Sequence, residues 1–174
     1  MRRILLPALL ALVMLTGCAS TTAEGPGDTA SPSEPTAAAE TPTEAPEPII
    51  DLATVVETVR SGVPEATEVV DITEDNDPND LIGRPNGYVG GAVFYDSRLA
   101  CDDLSVDCGA TLEEWPDEAA AQERSDYIQG LLAETPAFGS EYHYLVDGFL
   151  LRVNGDLKPS EAEAYEAAIA AVSS

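Results

Sequence analysis

Basic residues are scarce in this chain: eight Lys and Arg stand against 32 Asp and Glu, for a formal net charge of −24. Nucleic-acid binding requires clustered cations that meet phosphates, and here acidic residues surround every base. We therefore exclude nucleic acid as a partner. Most of the acidic side chains are expected to form a solvated surface, and contact of the folded part with anionic lipid headgroups is disfavoured.

Histidine and cysteine are also scarce, with one His and three Cys in 174 residues. A zinc site needs more of these ligands than the chain offers, and His143 is the one candidate base for a histidine-dependent triad. We predict no cofactor and no enzymatic activity, although an enzyme that uses carboxylates alone stays open as an alternative. His143 is interpreted as part of a cross-strand surface pair with Arg152.

No apolar run reaches the roughly 20 residues that a transmembrane helix needs. Arg2 and Arg3 are followed by "ILLPALLALVMLTG", which has the charge and length of a secretory signal. The run ends in "LTGC", Leu15 to Cys18, which resembles the bacterial lipobox, whose cysteine receives diacylglycerol. We predict a signal peptide over 1–17, lipidation of Cys18 and a location on the outer face of the cytoplasmic membrane. The alternative is an ordinary secreted protein.

Large apolar side chains are absent from residues 19–48, which are mostly Ala, Ser, Thr, Pro, Glu and Gly. Such a segment cannot bury enough apolar area to offset its chain entropy. We predict that the lipidated cysteine and a disordered tether occupy 18–48. The remaining residues, 49–174, are enough for a single globular domain.

Within 49–174 the hydrophobic spacing predicts three helices, over about 50–61, over 117–135 and from Pro159 onward. Five short apolar segments read as strands. Asp147 and Gly148 between two of them predict a two-residue hairpin that pairs Val146 with Phe149. The order predicts an α+β, two-layer domain with an antiparallel sheet of about five strands and helices on one face. The second helix is predicted to bury a stripe formed by Ala120, Ala121, Tyr127, Ile128, Leu131 and Leu132.

Cys101 and Cys108 form an even pair once Cys18 is assigned to lipid. In an exported chain such a pair predicts a disulfide. A redox function is the alternative, but the C-x6-C spacing is not the C-x-x-C of redox motifs. The bond is expected to stiffen the connection between the second and third strands.

The acidic stretch "DNDPND" places Asp75, Asp77 and Asn79 at the first, third and fifth positions of a calcium loop. The rest of that motif fails, because Asp80 stands where glycine is needed and Asn86 stands where a bidentate carboxylate is needed. A turn-rich solvated loop and a weak calcium site are the two interpretations.

The next segment, "LIGRPNGY", holds Gly and Pro residues that form a constrained turn. Arg84, Pro85 and Asn86 at its tip are a candidate contact loop. Alternatively, Arg84 pairs with one of the nearby acidic side chains.

The segments "NDPNDLIGRPNGYVGGAVFYDSR", "RSDYIQ", "EYHYLVDGFLLRV" and "KPSEAEAYEAA" together resemble small Gram-positive, actinobacterial-type lipoproteins of uncharacterised function. The resemblance covers most of 75–169 and implies no activity. Our functional hypothesis is a lipid-anchored extracytoplasmic binding domain whose partner, besides the membrane, is an envelope protein or a cell-wall component. The alternative is a small-ligand or calcium-binding sensor that uses the 75–80 loop.

Overall fold

The computed structural model describes residues 50–173. The helices are α1 (Leu52–Gly62), α2 (Glu118–Glu134) and α3 (Pro159–Ala170), and the strands are β1 (Ala66–Ile72), β2 (Gly90–Asp96), β3 (Gly109–Glu114), β4 (Glu141–Val146) and β5 (Phe149–Asn154). In this part of the chain no helix is both long and apolar enough to cross a membrane. The predicted signal peptide, Cys18 and the 18–48 tether lie outside the described residues.

All five strands join one antiparallel sheet in the order β1-β2-β3-β5-β4. The hairpin between β4 and β5 turns at Asp147, which takes the left-handed φ of 50°. Its register pairs Val146 with Phe149 and His143 with Arg152. The predicted α+β class, the antiparallel five-stranded sheet and this register are confirmed.

The sheet is covered on both faces. Helices α1 and α3 pack on one face, against a core that includes Phe94, Leu112 and Leu151. Helix α2 packs on the other face, where Ala121 meets a second cluster that includes Leu150. The sequence analysis places the helices on one face, and α2 differs from that expectation. The central strands β3 and β5 bury side chains on both faces, so each face needs a cover.

Helix α2 buries a narrower stripe than predicted. Ala121, Ser125 and Ile128 face the sheet, whereas Tyr127 is 59% and Leu131 is 40% exposed. The buried residues recur at helical spacing of four and three, and the half-buried Leu132 continues the series after Ile128. Tyr127 precedes Ile128, and Leu131 precedes Leu132, by a single residue. One residue rotates a side chain by about 100° around the helix axis. The prediction that Tyr127 and Leu131 belong to the core is therefore wrong.

Close packing explains why β2 begins with two glycines, Gly90 and Gly91. A Cβ on Gly91 would lie 2.6 Å from the carbonyl oxygen of Leu112, and one on Gly90 would lie 2.9 Å from the Leu52 side chain. The absence of side chains at Gly90 and Gly91 thus permits close approach of β3 and α1.

The predicted disulfide is present. The Sγ atoms of Cys101 and Cys108 are bonded at 2.01 Å, and the Cα atoms lie 5.0 Å apart. The bond closes the segment between β2 and β3.

Candidate functional site

The acidic loop is organised by Asp77. Its carboxylate accepts hydrogen bonds from the N–H groups of Asn79 (2.9 Å), Leu81 (2.6 Å) and Ile82 (2.9 Å), and from the hydroxyl of Tyr88. Burial alone raises the pKa of Asp77, but these hydrogen bonds outweigh burial and hold the pKa below its ordinary value. The carboxylate therefore fixes the path of the loop.

The other residues of the calcium spacing make different contacts. The Asn79 side chain donates to the Tyr88 hydroxyl at 3.3 Å and accepts from Arg124 at 3.3 Å, while Asp75 is exposed. Within residues 50–173, no group of three or more His, Cys, Asp or Glu side chains is placed to hold a metal ion. Hydrogen bonds within the protein thus account for the positions of Asp77 and Asn79.

The candidate contact loop is displayed to solvent. Arg84, Pro85 and Asn86 are all exposed, and Asn86 takes a left-handed φ of 62°. The Arg84 guanidinium contacts both carboxylate oxygens of Asp80, at 2.7 and 2.5 Å. The structure therefore agrees with the interpretation that Arg84 pairs with a nearby acidic side chain. Asn86 differs from its two neighbours in facing a cleft.

This cleft, of about 660 Å³, lies between the 81–87 loop and the start of α2. Its lining consists of Leu81, Asn86 and Gly87 from the loop, Trp115, Pro116 and Asp117 from the chain after β3, and Ala120, Glu123, Arg124 and Tyr127 from α2. The lining combines aromatic rings with carboxylates, an amide and a guanidinium. Such a mixture is typical of binding sites, in which apolar contacts supply affinity and a few polar groups orient the ligand.

Trp115 gives the cleft a fixed wall. Its ring packs edge-on against Tyr88 with the ring centroids 5.8 Å apart, and its indole N–H donates to Glu113 at 3.1 Å. The backbone N–H of Trp115 also donates to the carbonyl of Gly148 in the hairpin turn, at 2.8 Å. The wall is thereby held by both polar and aromatic contacts, and a ligand would meet a preorganised surface.

Arg124 lies at the inner side of the cleft, with 15% of its side chain exposed. Its Nε lies 3.5 Å from a Glu113 oxygen. Among residues 50–173, Nε has no hydrogen-bond partner, and the guanidinium makes one hydrogen bond, to Asn79. A guanidinium carries five N–H donors. Most of its donors thus lack a protein acceptor in the described part of the chain.

A buried charge cluster lies behind the cleft. Arg152 donates to Glu113 at 2.9 Å and makes two bonds of 2.8 Å to Glu141. Burial lowers the pKa of Arg152, yet the two carboxylates outweigh that effect and raise it. Burial raises the pKa of Glu141, but the bonds from Arg152 and His143 reverse this and lower it to about 2. Both partners are therefore charged at neutral pH.

The sequence analysis predicts a cross-strand surface pair of His143 and Arg152, and the surface location is wrong. Their register is as predicted, but α2 covers that face, so only 5% of the His143 side chain is exposed. Both side chains bond to Glu141. The predicted hairpin already puts Glu141, His143 and Arg152 on one face of the sheet, so their proximity follows from the register, whereas their burial follows from the packing of α2.

Ser125, His143 and Glu141 have the connectivity of a catalytic triad. The Ser125 hydroxyl lies 2.8 Å from His143 Nδ1, and His143 Nε2 lies 2.9 Å from a Glu141 oxygen. Ser125, however, is 4% exposed, on the side of α2 that faces the sheet. A nucleophile must reach its substrate. This chain of hydrogen bonds therefore ties α2 to β4 and presents no serine to a ligand.

A second buried network lies on the opposite face of the sheet. Asp96 accepts a hydrogen bond of 2.9 Å from the Tyr165 hydroxyl and a bond of 2.7 Å from Arg98 Nε. Burial and the Asp96 contact raise the pKa of Tyr165. The network joins α3 to β2 and does not border the cleft.

Comparison with known proteins gives no relative: no family model, no curated protein and no solved structure matches the chain. The cleft and its chemistry are therefore the basis for a functional assignment.

Proposed function

We propose that this protein is a lipid-anchored, non-enzymatic binding domain on the outer face of the cytoplasmic membrane. Lipid on Cys18 attaches it to the membrane, and its folded part binds another envelope component, either a protein or a cell-wall polymer. The observation that carries the proposal is the cleft beside α2, with the exposed Tyr127 at its edge and the fixed ring of Trp115 in its wall.

Tyr and Trp are enriched at protein interfaces, and contiguous exposed apolar surface marks interaction sites. Tyr127 is 59% exposed although the chain has only six Tyr, three Phe and one Trp. The ring borders a concave surface that also offers polar groups. Exposure next to concavity supports binding as the function of this surface.

The sequence supports the location. The leader has the length of an export signal, and its end resembles a lipobox. An acyl-anchored cysteine followed by a polar segment of about 30 residues holds a folded domain away from the lipid surface. The strongly acidic composition favours the same separation from anionic headgroups.

Site-specific photocrosslinking in living cells tests the proposal. The full chain carries p-benzoylphenylalanine in place of Tyr127, and the matched control carries it in place of Glu68, which is exposed on β1 at the far edge of the sheet. We expect an adduct that depends on irradiation at position 127 and is absent at position 68. Equal adducts at both positions, or none at either, would contradict a binding function of the cleft.

A further inference from the structure

Most of the large apolar side chains exposed between residues 50 and 173 belong to one segment of the chain, α2 and the short turn that follows it. Of the four large hydrophobic residues that are exposed between 50 and 173, three are Tyr127, Leu131 and Phe138, and the fourth is Val89. Tyr127 and Leu131 lie one helical turn apart, so their side chains are neighbours on α2. Phe138, which is 71% exposed, belongs to the short turn of helix Pro136–Phe138 that follows α2. We call these three residues the α2 strip.

The α2 strip continues the cleft along the helix. Ala120, Arg124 and Tyr127 line the cleft, and Leu131 follows them at the next position of the same helical face, since the spacing is four, three and four. A ligand that enters the cleft and extends along α2 would cover Leu131 as well. The apolar surface is therefore longer than the cleft itself.

The side chains around this surface carry more negative than positive charge. Arg124 and Arg152 are offset by Glu113 and Glu141, which they contact. Asp117 and Glu123 also line the cleft, and neither forms an ion pair within the described residues. The whole chain adds its net charge of −24. A cationic partner would meet a complementary potential, whereas an anionic one would be repelled.

We infer that the partner is a protein with a segment rich in Lys or Arg and interspersed with apolar residues, and that this segment lies in the cleft and along the α2 strip. The inference rests on the proposed function and specifies its partner. Trp, Tyr and Arg are the residue types that most often dominate binding energy at protein interfaces, and Trp115, Arg124 and Tyr127 occur together here.

In this proposal the side chains of the cleft and of the α2 strip each make a different contact with the partner segment. The ring of Tyr127 offers a face on which a Lys or Arg of the partner stacks, while Asp117 and Glu123 accept its charge. Leu131 and Phe138 bury apolar side chains of the partner, which a polar wall polymer would leave uncovered. The spare donors of Arg124 bind a backbone carbonyl or carboxylate of the segment.

The first test concerns the chemical nature of the crosslinked partner. The full chain with p-benzoylphenylalanine in place of Phe138, a conservative change at an exposed position, is irradiated in cells beside the Tyr127 replacement. We expect both to give the same adduct, of discrete mass and sensitive to protease, and sequencing is expected to identify a protein with a basic segment. An adduct that survives protease but is lost on digestion of wall polymers would overturn this inference while leaving the proposed function intact.

The second test measures binding of the purified partner to the full chain. Glu123→Lys is compared with Glu68→Lys, which makes the same charge change on β1, and Leu131→Ser removes apolar surface at an exposed site. We expect Glu123→Lys and Leu131→Ser each to weaken binding at least about tenfold and Glu68→Lys to weaken it less than about threefold. Binding should also weaken between about 0.05 M and about 0.5 M salt, because charge attraction is screened. Equal effects of the two Lys substitutions, or binding that is insensitive to salt, would overturn the inference.

Discussion

Glu113 is a fully buried carboxylate whose partners come from α2 and β5 and from the residue that follows β3. Glu113 has no exposed surface, and its oxygens meet Arg152, Arg124 and the Trp115 indole. Removing one partner of such a group is costly, because the other charge stays buried without compensation. Single residues of this cluster consequently act on stability and hold the wall of the cleft in place.

Glu141 predicts a pH dependence of stability. Its folded-state pKa of about 2 lies below the ordinary value of 4.5, so its stabilising contribution is fully present above about pH 4.5. The contribution is lost as pH falls from 4.5 toward 2, because the unfolded state then binds the proton more readily. We expect the difference in free energy of unfolding between the wild type and Glu141→Gln to shrink over this range.

Urea denaturation at a series of pH values, followed by circular dichroism, measures this difference. Comparison with the variant removes the similar contributions of Asp77 and Asp96, whose pKa values are also lowered. A difference that stays constant between pH 5 and pH 2 would contradict the lowered pKa of Glu141 in the folded state.

Two tyrosines differ in whether their hydroxyl is hydrogen-bonded, so comparing them measures the contribution of one such bond to stability. The Tyr165 hydroxyl donates to the buried carboxylate of Asp96 at 2.9 Å, whereas the Tyr144 hydroxyl has no hydrogen bond within residues 50–173. Tyr165→Phe should destabilise the domain by about 1.5 to 3 kcal/mol, the range for a bond to a charged group, and Tyr144→Phe should have little effect. Equal denaturation midpoints for the two variants would contradict the role assigned to Asp96.

At the scale of elements, the sheet depends on polar links as well as on its two apolar cores. Ser125 connects α2 to β4 through His143, and Tyr165 connects α3 to β2 through Asp96. Directional contacts of this kind set the rotation of a helix, since apolar packing alone tolerates several rotations. In α2 the result is that Tyr127 and Leu131 face solvent beside the cleft.

The disulfide acts on the connection between β2 and β3. Closing the eight-residue segment from Cys101 to Cys108 reduces unfolded-state entropy by an amount worth about 2 to 3 kcal/mol. We expect reduction of the full chain to lower the melting temperature, as measured by calorimetry with and without reductant. A Cys101→Ser, Cys108→Ser double variant should melt at the temperature of the reduced wild type, with or without reductant. If the reductant also shifts the melting temperature of this variant, the effect comes from the reductant and not from the disulfide.

For the whole molecule, our proposal gives the anchor and the cleft one purpose, which is to present a binding surface near the membrane. Replacing Cys18 with Ala should release the protein from the membrane or leave its precursor unprocessed, because no lipid is attached. Cell fractionation and intact mass measurement test this result. A variant that stays membrane-bound with a lipid-modified mass would contradict the lipobox assignment.

Features of this protein that depend on neighbouring residues follow from the amino-acid sequence alone. Asp147 and Gly148 set the β4–β5 hairpin and its register, because a two-residue turn admits one pairing of the flanking strands. The paired cysteines predicted the disulfide, and the α+β class followed from the order of the segments. Turn chemistry and hydrophobic spacing act over a few residues and can be read directly.

The face of the sheet that α2 covers follows from long-range packing and not from the sequence of α2. That choice buried Glu141, His143 and Arg152, which look like surface residues in an isolated hairpin. It also placed Tyr127 beside the 81–87 loop, about 40 residues earlier in the chain, and so created the cleft. The sequence of α2 is compatible with more than one buried face, and the choice among them depends on long-range packing and on the pairing of buried charges.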